Sequence, residues 1–255
     1  MILNDVGMIA ADTTRTKAYI QALIRNQMFP KYVLLFVNEE DILLPGQINN
    51  STIFAQEQSQ EPSKDNCWSE EKFNPVASVQ SLLETAKIPY EISPSQNIND
   101  QAVIDLISQR PESVFIFSGF GGVLLRKNIL DTGKKFLHVH GGYLPLYKGS
   151  TTNYYSLLED NSMGASSIFL TEKIDSGPVL LRRKFPAPDN RKDIDHVFDS
   201  AARARVLIDT LQRYIESGKW SFELKNNKGG EVFYIIHPVL KHISILSEGR
   251  ASLCE

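Results

Sequence analysis

Two histidines leave a hydrophobic run into a glycine turn in Phe136-Leu137-His138-Val139-His140-Gly141-Gly142-Tyr143-Leu144-Pro145, and Ile174-Asp175-Ser176-Gly177-Pro178 sets a carboxylate in a second glycine turn. Glycine has no side chain to block a ligand, so backbone at such turns can be approached closely. An imidazole and a carboxylate placed there suit general acid-base work. The pair can collect a proton from an incoming amine and protonate a leaving group, while nearby donors hold a tetrahedral oxyanion. Taken singly, His140 as a strand cap and Asp175 as a turn opener need no function. It is the two together that point to chemistry.

Other chemistries fit the residues less well. His138 and His140, two apart on a strand, point to one face, as two metal ligands would. A closed zinc site needs further ligands, and His196, His237, His242, Cys67 and Cys254 show no recognised spacing. Asp175 as a third ligand would give an open catalytic metal site, which is the alternative reading; the expectation is that no metal is bound. Gly119-Phe120-Gly121-Gly122 lacks the full dinucleotide fingerprint and does not follow the first strand, and there is no phosphate-binding G-x-x-x-x-G-K-[ST] loop. Ser118, Ser150 and Ser176 sit in no G-x-S-x-G elbow.

The elements that must carry these turns alternate. Val6–Ala11 reads as a buried strand, Thr16–Gln27 as a helix, and Tyr32–Val37 as a run of the kind that parallel sheets bury on both faces. Residues 44–75 turn polar, with little periodicity, and read as a long surface excursion. The pattern then resumes with a helix near Ala77–Ala86, a strand at Tyr90–Ile92, a helix over Asp100–Ser108 and a strand at Ser113–Ser118. A strand at Lys135–Val139 carries the histidines. Two strands thus end in glycine turns, and open α/β sheets bind ligands at the carboxyl ends of their strands.

Beyond them, Thr151–Asp160 predicts a helix, and Ala165–Leu170 and Val179–Phe185 two strands joined through Asp175-Ser176-Gly177. A long amphipathic helix follows over Ile194–Ser217, then a strand at Glu231–Ile236. The expected fold is α/β, a Rossmann-like, mostly parallel sheet with helices on both faces. Residues 1–218 form that domain and 219–255 a small C-terminal extension. The apolar run Val239–Leu246 in the extension either covers the core or forms a homodimer face.

Composition narrows the class of function. With 255 residues, 42% of them hydrophobic, the chain can bury a full core. A net charge of −3 gives no general attraction to nucleic acid or to an anionic membrane. Two cysteines make no disulfide framework, the first residues lack a signal-peptide pattern, and no apolar stretch approaches a bilayer span of ~20 residues. A cytoplasmic enzyme with small-molecule partners is expected, with neither nucleic acid nor membrane among them.

The run from Phe136 to Gly149 and the run Gly164–Pro178, in that order, resemble the folate-dependent formyltransferase family. The resemblance covers Ser113–Phe185 well and Val6–Val37 loosely. It implies a Rossmann-like domain that takes a formyl group from 10-formyltetrahydrofolate to an amine. His140 would be the motif histidine and Asp175 the motif aspartate. Where the family carries an asparagine two residues before that histidine, this chain has His138, whose imidazole N–H can also donate to an oxyanion. Gly141-Gly142 replaces the Pro-Ser pair that commonly follows.

By the same resemblance, Phe120, Gly121, Gly122, Val123 and Leu124, with Thr171, Glu172 and Lys173, would hold the folate. From residues alone, Val123 and Leu124 would pass as ordinary core. Acceptor contacts would come from Tyr143, Lys148, Ser150, Thr151 and Thr152, and from Arg15 and Lys17 at the first strand-to-helix turn, where Thr13, Thr14 and Arg15 open a helix whose N-terminus suits an anion. A solvated helix start is the plain alternative.

The resemblance also ranks acceptors. Methionyl-tRNA formyltransferases carry a larger C-terminal domain and need a basic surface, and glycinamide ribonucleotide formyltransferases open with a glycine-rich phosphate loop, where this chain has Ala10-Ala11-Asp12-Thr13-Thr14-Arg15. An amino sugar, usually nucleotide-linked, is the expected acceptor. Hydrolysis of 10-formyltetrahydrofolate and a non-catalytic folate-binding module are the other readings.

Overall fold

The computed structural model describes residues 1–37, 72–220 and 227–247. Most of the polar excursion falls outside these residues. The described residues fall into two compact units, the first holding residues 1–37 and 73–138 and the second Lys72 and residues 139–220 and 227–247, so the strand Lys135–His140 begins in the first and ends in the second.

In the first unit, β1 (Ile2–Ala11) is the central strand, parallel to β2 (Phe29–Phe36) on one side and to β4 (Val114–Ser118) on the other. Val6, Met8, Ile9, Ala10 and Ala11 are buried without alternation, as expected of a strand covered on both faces. Each large apolar side chain so buried contributes about 1.5–3 kcal/mol. β3 (Tyr90–Ile92) extends the parallel ladder beyond β2, and β5 (Lys135–His140) beyond β4.

Helix α1 (Thr14–Arg25) starts two residues before its predicted position because Thr13 caps it, its Oγ1 accepting the Thr16 N–H at 3.2 Å. Helices α2 (Val79–Thr85), α3 (Gln101–Gln109) and the short α4 (Lys127–Leu130) complete the unit. The end of β4 is tied to the start of α1. Buried Thr16 donates through Oγ1 to the Ser118 carbonyl at 3.0 Å and lies 2.8 Å from Ser118 Oγ.

The second unit pairs β7 (Ser162–Phe169) antiparallel to β8 (Val179–Pro186). Helix α5 (Thr152–Asp160) precedes them. The long predicted helix opens irregularly, as a 3₁₀ turn at Arg191–Asp193 and a π turn at Ile194–Phe198, before α6 (Asp199–Ser217). Thr210 of α6 donates to Ser167 Oγ of β7 at 2.7 Å, inside the core. A two-stranded ladder joins β6 (Tyr147–Gly149) in parallel to β9 (Glu231–Phe233). β9 is half its predicted length. Its partner has only three residues, and Tyr234 and Ile235 beyond it are 83% and 78% exposed. The apolar run after it forms α7 (Pro238–Leu246), started by proline in its first turn.

The strands make the α/β, Rossmann-like fold expected from the sequence: a seven-stranded, mostly parallel sheet with helices around it.

Candidate active site

Both members of the expected acid-base pair belong to the second unit, and the fold brings them together. His140 is the last residue of β5 and Asp175 lies in the β7–β8 loop, with His140 Nδ1 3.4 Å from Asp175 Oδ2. Both are buried, His140 to 4% and Asp175 to 8% exposure. The same Asp175 oxygen accepts the Gly149 backbone N–H at 2.8 Å. His140 Nε2 lies 2.7 Å from the Tyr147 carbonyl. That contact requires a proton on Nε2, because a carbonyl oxygen only accepts. In a neutral ring, Nδ1 then turns its lone pair toward Asp175. The two ends of β6 therefore fix the pair: Tyr147 O sets the histidine and Gly149 N–H sets the carboxylate.

Charge around the ring acts in both directions. Burial is the largest effect and holds the His140 imidazole below the ordinary histidine value of 6.5; Asp175 opposes it, Arg203 adds to it, and Asp199 opposes it more weakly. Arg203 and Asp199 are ion-paired at 2.7 Å on the first turn of α6. Arg203 also donates to the Val139 carbonyl at 3.0 Å, and Asn153 donates to Asp199 at 2.8 Å. A buried, neutral imidazole with a carboxylate beside its lone pair is equipped to take a proton and stabilise the cation that results.

The expected acceptor contacts in this unit divide by orientation. Lys148 is buried and donates from Nζ to the Asn227 carbonyl at 2.9 Å, and Thr152 is buried and donates to the Gly141 carbonyl. Both hold the frame of the site. Thr151 Oγ1 accepts the Ile236 N–H at 2.9 Å, while Ser150 is exposed. Tyr143 lies beneath Arg182 and Lys184, whose charged groups are 5.0 and 5.5 Å from its ring centroid. Thr171, Glu172 and Lys173 are exposed on the β7–β8 loop.

The remaining expected residues belong to the first unit. Val123 and Leu124 are 37% and 62% exposed, so the ordinary-core reading of them is overturned; Leu125 is the buried neighbour. At Gly121 and Gly122 an added side chain would meet nothing within 4 Å, which leaves the backbone open to a ligand. Phe120 and Val123 line a pocket with Ile9, Phe36, Phe117 and Gln96 at the ends of β1, β2 and β4. Arg15 donates to Ser118 Oγ at 3.3 Å and to the Gly119 carbonyl, and Lys17 is paired with Asp12 at 2.9 Å. The two cations at the start of α1 thus already have partners. His138 Nδ1 is 3.5 Å from the Phe117 carbonyl, with its ring tilted against Phe117. Among the described residues, no group of three or more His, Cys, Asp or Glu side chains is gathered for a metal.

A family model described as formyl transferase matches residues 5–204, which include the pair and every expected ligand contact. The chain belongs to the formyl transferase family. A methionyl-tRNA formyltransferase of Finegoldia magna is 33% identical over 168 residues, covering 63% of this chain and 52% of the relative. This family member therefore spans about half the length of that relative. Among solved structures, the phosphoribosylglycinamide formyltransferase of Anaplasma phagocytophilum superposes with a TM-score of 0.57 at 13% identity, over 90% of this chain and 97% of that one. The sugar 3N-formyl transferase WlaRD, solved in the presence of dTDP and 5-N-formyltetrahydrofolate, superposes with a TM-score of 0.54 at 13% identity, over 90% and 69%. At these identities the likeness is one of fold. No described helix is long and apolar enough to cross a membrane.

Sequence reasoning missed Tyr147, Gly149, Arg203, Asp199 and Asn153. Tyr147 and Gly149 act through backbone groups, which have no signature in residue type. Arg203 and Asp199 carry one detectable signal, an i,i+4 pair of opposite charge at the start of a helix.

Proposed function

We propose that this chain transfers a formyl group from 10-formyltetrahydrofolate to the primary amine of an amino sugar, one linked to a nucleotide. The observation that carries the reading is the buried contact of His140 Nδ1 with Asp175 Oδ2 at 3.4 Å, in a member of the formyl transferase family.

The folate supplies the formyl carbon. The open backbone at Gly121 and Gly122, exposed Val123 and Leu124, and the apolar pocket beside Phe120 suit a flat ring that needs both stacking and backbone hydrogen bonds. Exposed Thr171, Glu172 and Lys173 are the further folate contacts, and Tyr143, Ser150, Arg15 and Lys17 the acceptor contacts, with Lys148, Thr151 and Thr152 holding the loop that presents them.

The His140–Asp175 pair, with the imidazole neutral at pH 7, takes up a proton from the attacking amine; the proton comes to rest on Nδ1, between the ring and the carboxylate, where Asp175 stabilises the imidazolium. As the bond from the formyl carbon to the folate nitrogen breaks, the pair returns that proton to the departing nitrogen. It ends each turnover as it began. His138 is proposed to donate to the oxyanion, in the place where the family carries an asparagine.

A sugar acceptor rests on the family resemblance; the fold matches to WlaRD and to the phosphoribosylglycinamide formyltransferase do not rank acceptors. The match to methionyl-tRNA formyltransferase favours the second reading, a formyl-accepting aminoacyl-tRNA. Incubation with 10-formyltetrahydrofolate and, in parallel, a set of amino-sugar nucleotides and methionyl-tRNA distinguishes them. A formyl mass increment on a sugar nucleotide, lost in Asp175→Asn and His140→Ala, is the expected result. Formylation of the tRNA alone would replace the acceptor, and near-normal turnover in either variant would overturn the role of the pair.

A further inference from the structure

One amide joins the loop that carries Asp175 to the strand that receives its carboxylate. Asn227 Nδ2 donates to the Asp175 carbonyl at 2.8 Å and to the Gly177 carbonyl at 2.7 Å. Two carbonyls around one atom require a doubly protonated nitrogen, so the orientation of the amide is fixed. The Asn227 backbone carbonyl accepts Lys148 Nζ at 2.9 Å. Lys148 lies between Tyr147 and Gly149, whose backbone groups hold His140 and Asp175. Asp175 itself has a φ of 47°, in the left-handed region that residues with a side chain avoid unless their surroundings hold them there. The clamp on its carbonyl is such a restraint.

We propose that Asn227 is a positioning residue for formyl transfer: it locks the backbone at Asp175 and Gly177 so that the carboxylate stays against His140 Nδ1 and the Gly149 N–H. The proposal rests on the formyl-transfer reading of His140 and Asp175. Asn227 touches no substrate in it. Its effect passes through Asp175, and displacement of a catalytic group by about 1 Å costs on the order of 100-fold in rate.

The test uses the full chain with Asn227→Ala and Asn227→Asp. The second variant keeps the shape of the side chain but sets an acceptor against two carbonyls. Both should lower kcat by about 10- to 100-fold, with KM for either substrate changed less than about threefold. If Asn227 only filled space, the near-isosteric aspartate would be tolerated. In an Asp175→Asn background, Asn227→Ala should lower kcat by no more than about twofold, because the group it positions is already disabled.

A second measurement is independent of turnover. Amide hydrogen exchange at Gly149, whose N–H is bound to Asp175 Oδ2, should quicken in both variants while β7 and α6 stay protected. Unchanged exchange at Gly149 overturns the proposal whatever happens to kcat, as does an Asn227→Asp protein that turns over like the parent. If Asn227→Ala fails to fold, Asn227→Asp decides. If the parent protein transfers no formyl group, the reading of the pair fails, and exchange at Gly149 still decides whether Asn227 holds Asp175.

Discussion

Asp175 presents one oxygen to two partners: Oδ2 accepts the Gly149 N–H at 2.8 Å and lies 3.4 Å from His140 Nδ1. The shorter contact anchors the carboxylate and the longer one leaves it able to respond to charge on the ring. Because His140 Nε2 is bound to the Tyr147 carbonyl, a second proton on the imidazole goes to Nδ1, directly into the field of Asp175.

That arrangement predicts a pH dependence with a definite sign. Base catalysis needs the Nδ1 lone pair, so kcat/KM should fall on the acid side through the folded-state pKa of His140, which burial keeps below 6.5. Arg203 lowers this pKa, whereas Asp175 and Asp199 raise it. Arg203→Gln should therefore move the acid limb to higher pH. A limb that stays in place or moves down would show that another group controls it.

The same shift acts on stability. The unfolded chain protonates this imidazole near 6.5, whereas the folded protein keeps it neutral to lower pH. Between those values the unfolded state binds more protons, so stability falls as pH drops below 6.5 and the loss stops once the folded imidazole is also charged. Denaturant unfolding from pH 7 downward should show this loss in the parent and less of it in His140→Gln.

Gly142 is the residue that lets His140 reach the Tyr147 carbonyl. A side-chain carbon there would lie 2.7 Å from His140 Nε2, 2.7 Å from the Tyr147 carbonyl oxygen and 2.8 Å from Thr152 Oγ1. The carbonyl is backbone and cannot swing away. Gly142→Ala should cost about 1–3 kcal/mol, a drop in melting temperature of about 2–12 °C. It should also lower kcat, since the ring loses its anchor. Thermal unfolding with steady-state kinetics checks both, and a variant matching the parent in each would refute the assignment.

The frame of this site was legible because its strands are long apolar runs. Val6–Ala11 and Val114–Ser118 are buried without alternation, and His140, directly before Gly141, and Asp175, two residues before Gly177, stand out as polar residues at glycine turns. The partners that aim them were not. Tyr147 and Gly149 contribute a carbonyl and an N–H that any residue possesses. Asn227 lies 52 positions from Asp175, in a stretch without periodicity. The excess length read into β9 has a similar origin: Glu231–Ile236 is β-prone throughout, but a strand extends only as far as its partner, and β6 stops at Gly149.

Leu124 tests the proposed folate contacts of the first unit alone. It is 62% exposed, yet its position is fixed: Asn99 donates to the Leu124 carbonyl at 3.0 Å and accepts the Arg126 N–H at 2.7 Å, so the backbone on both sides of Leu125 is held. A large apolar side chain kept in water by a fixed backbone gains most from a ligand that covers it. Leu124→Asp removes about 1.5–3 kcal/mol of such burial, or roughly 10- to 100-fold in Kd. Substitution of so exposed a side chain should change folding stability by no more than about 0.5 kcal/mol. Titration with 5-formyltetrahydrofolate, a stable relative of the formyl donor, gives the affinity, and thermal unfolding without ligand gives the stability. Weakened binding at unchanged stability would place the folate against this loop, whereas unchanged affinity would remove Leu124 from the folate site.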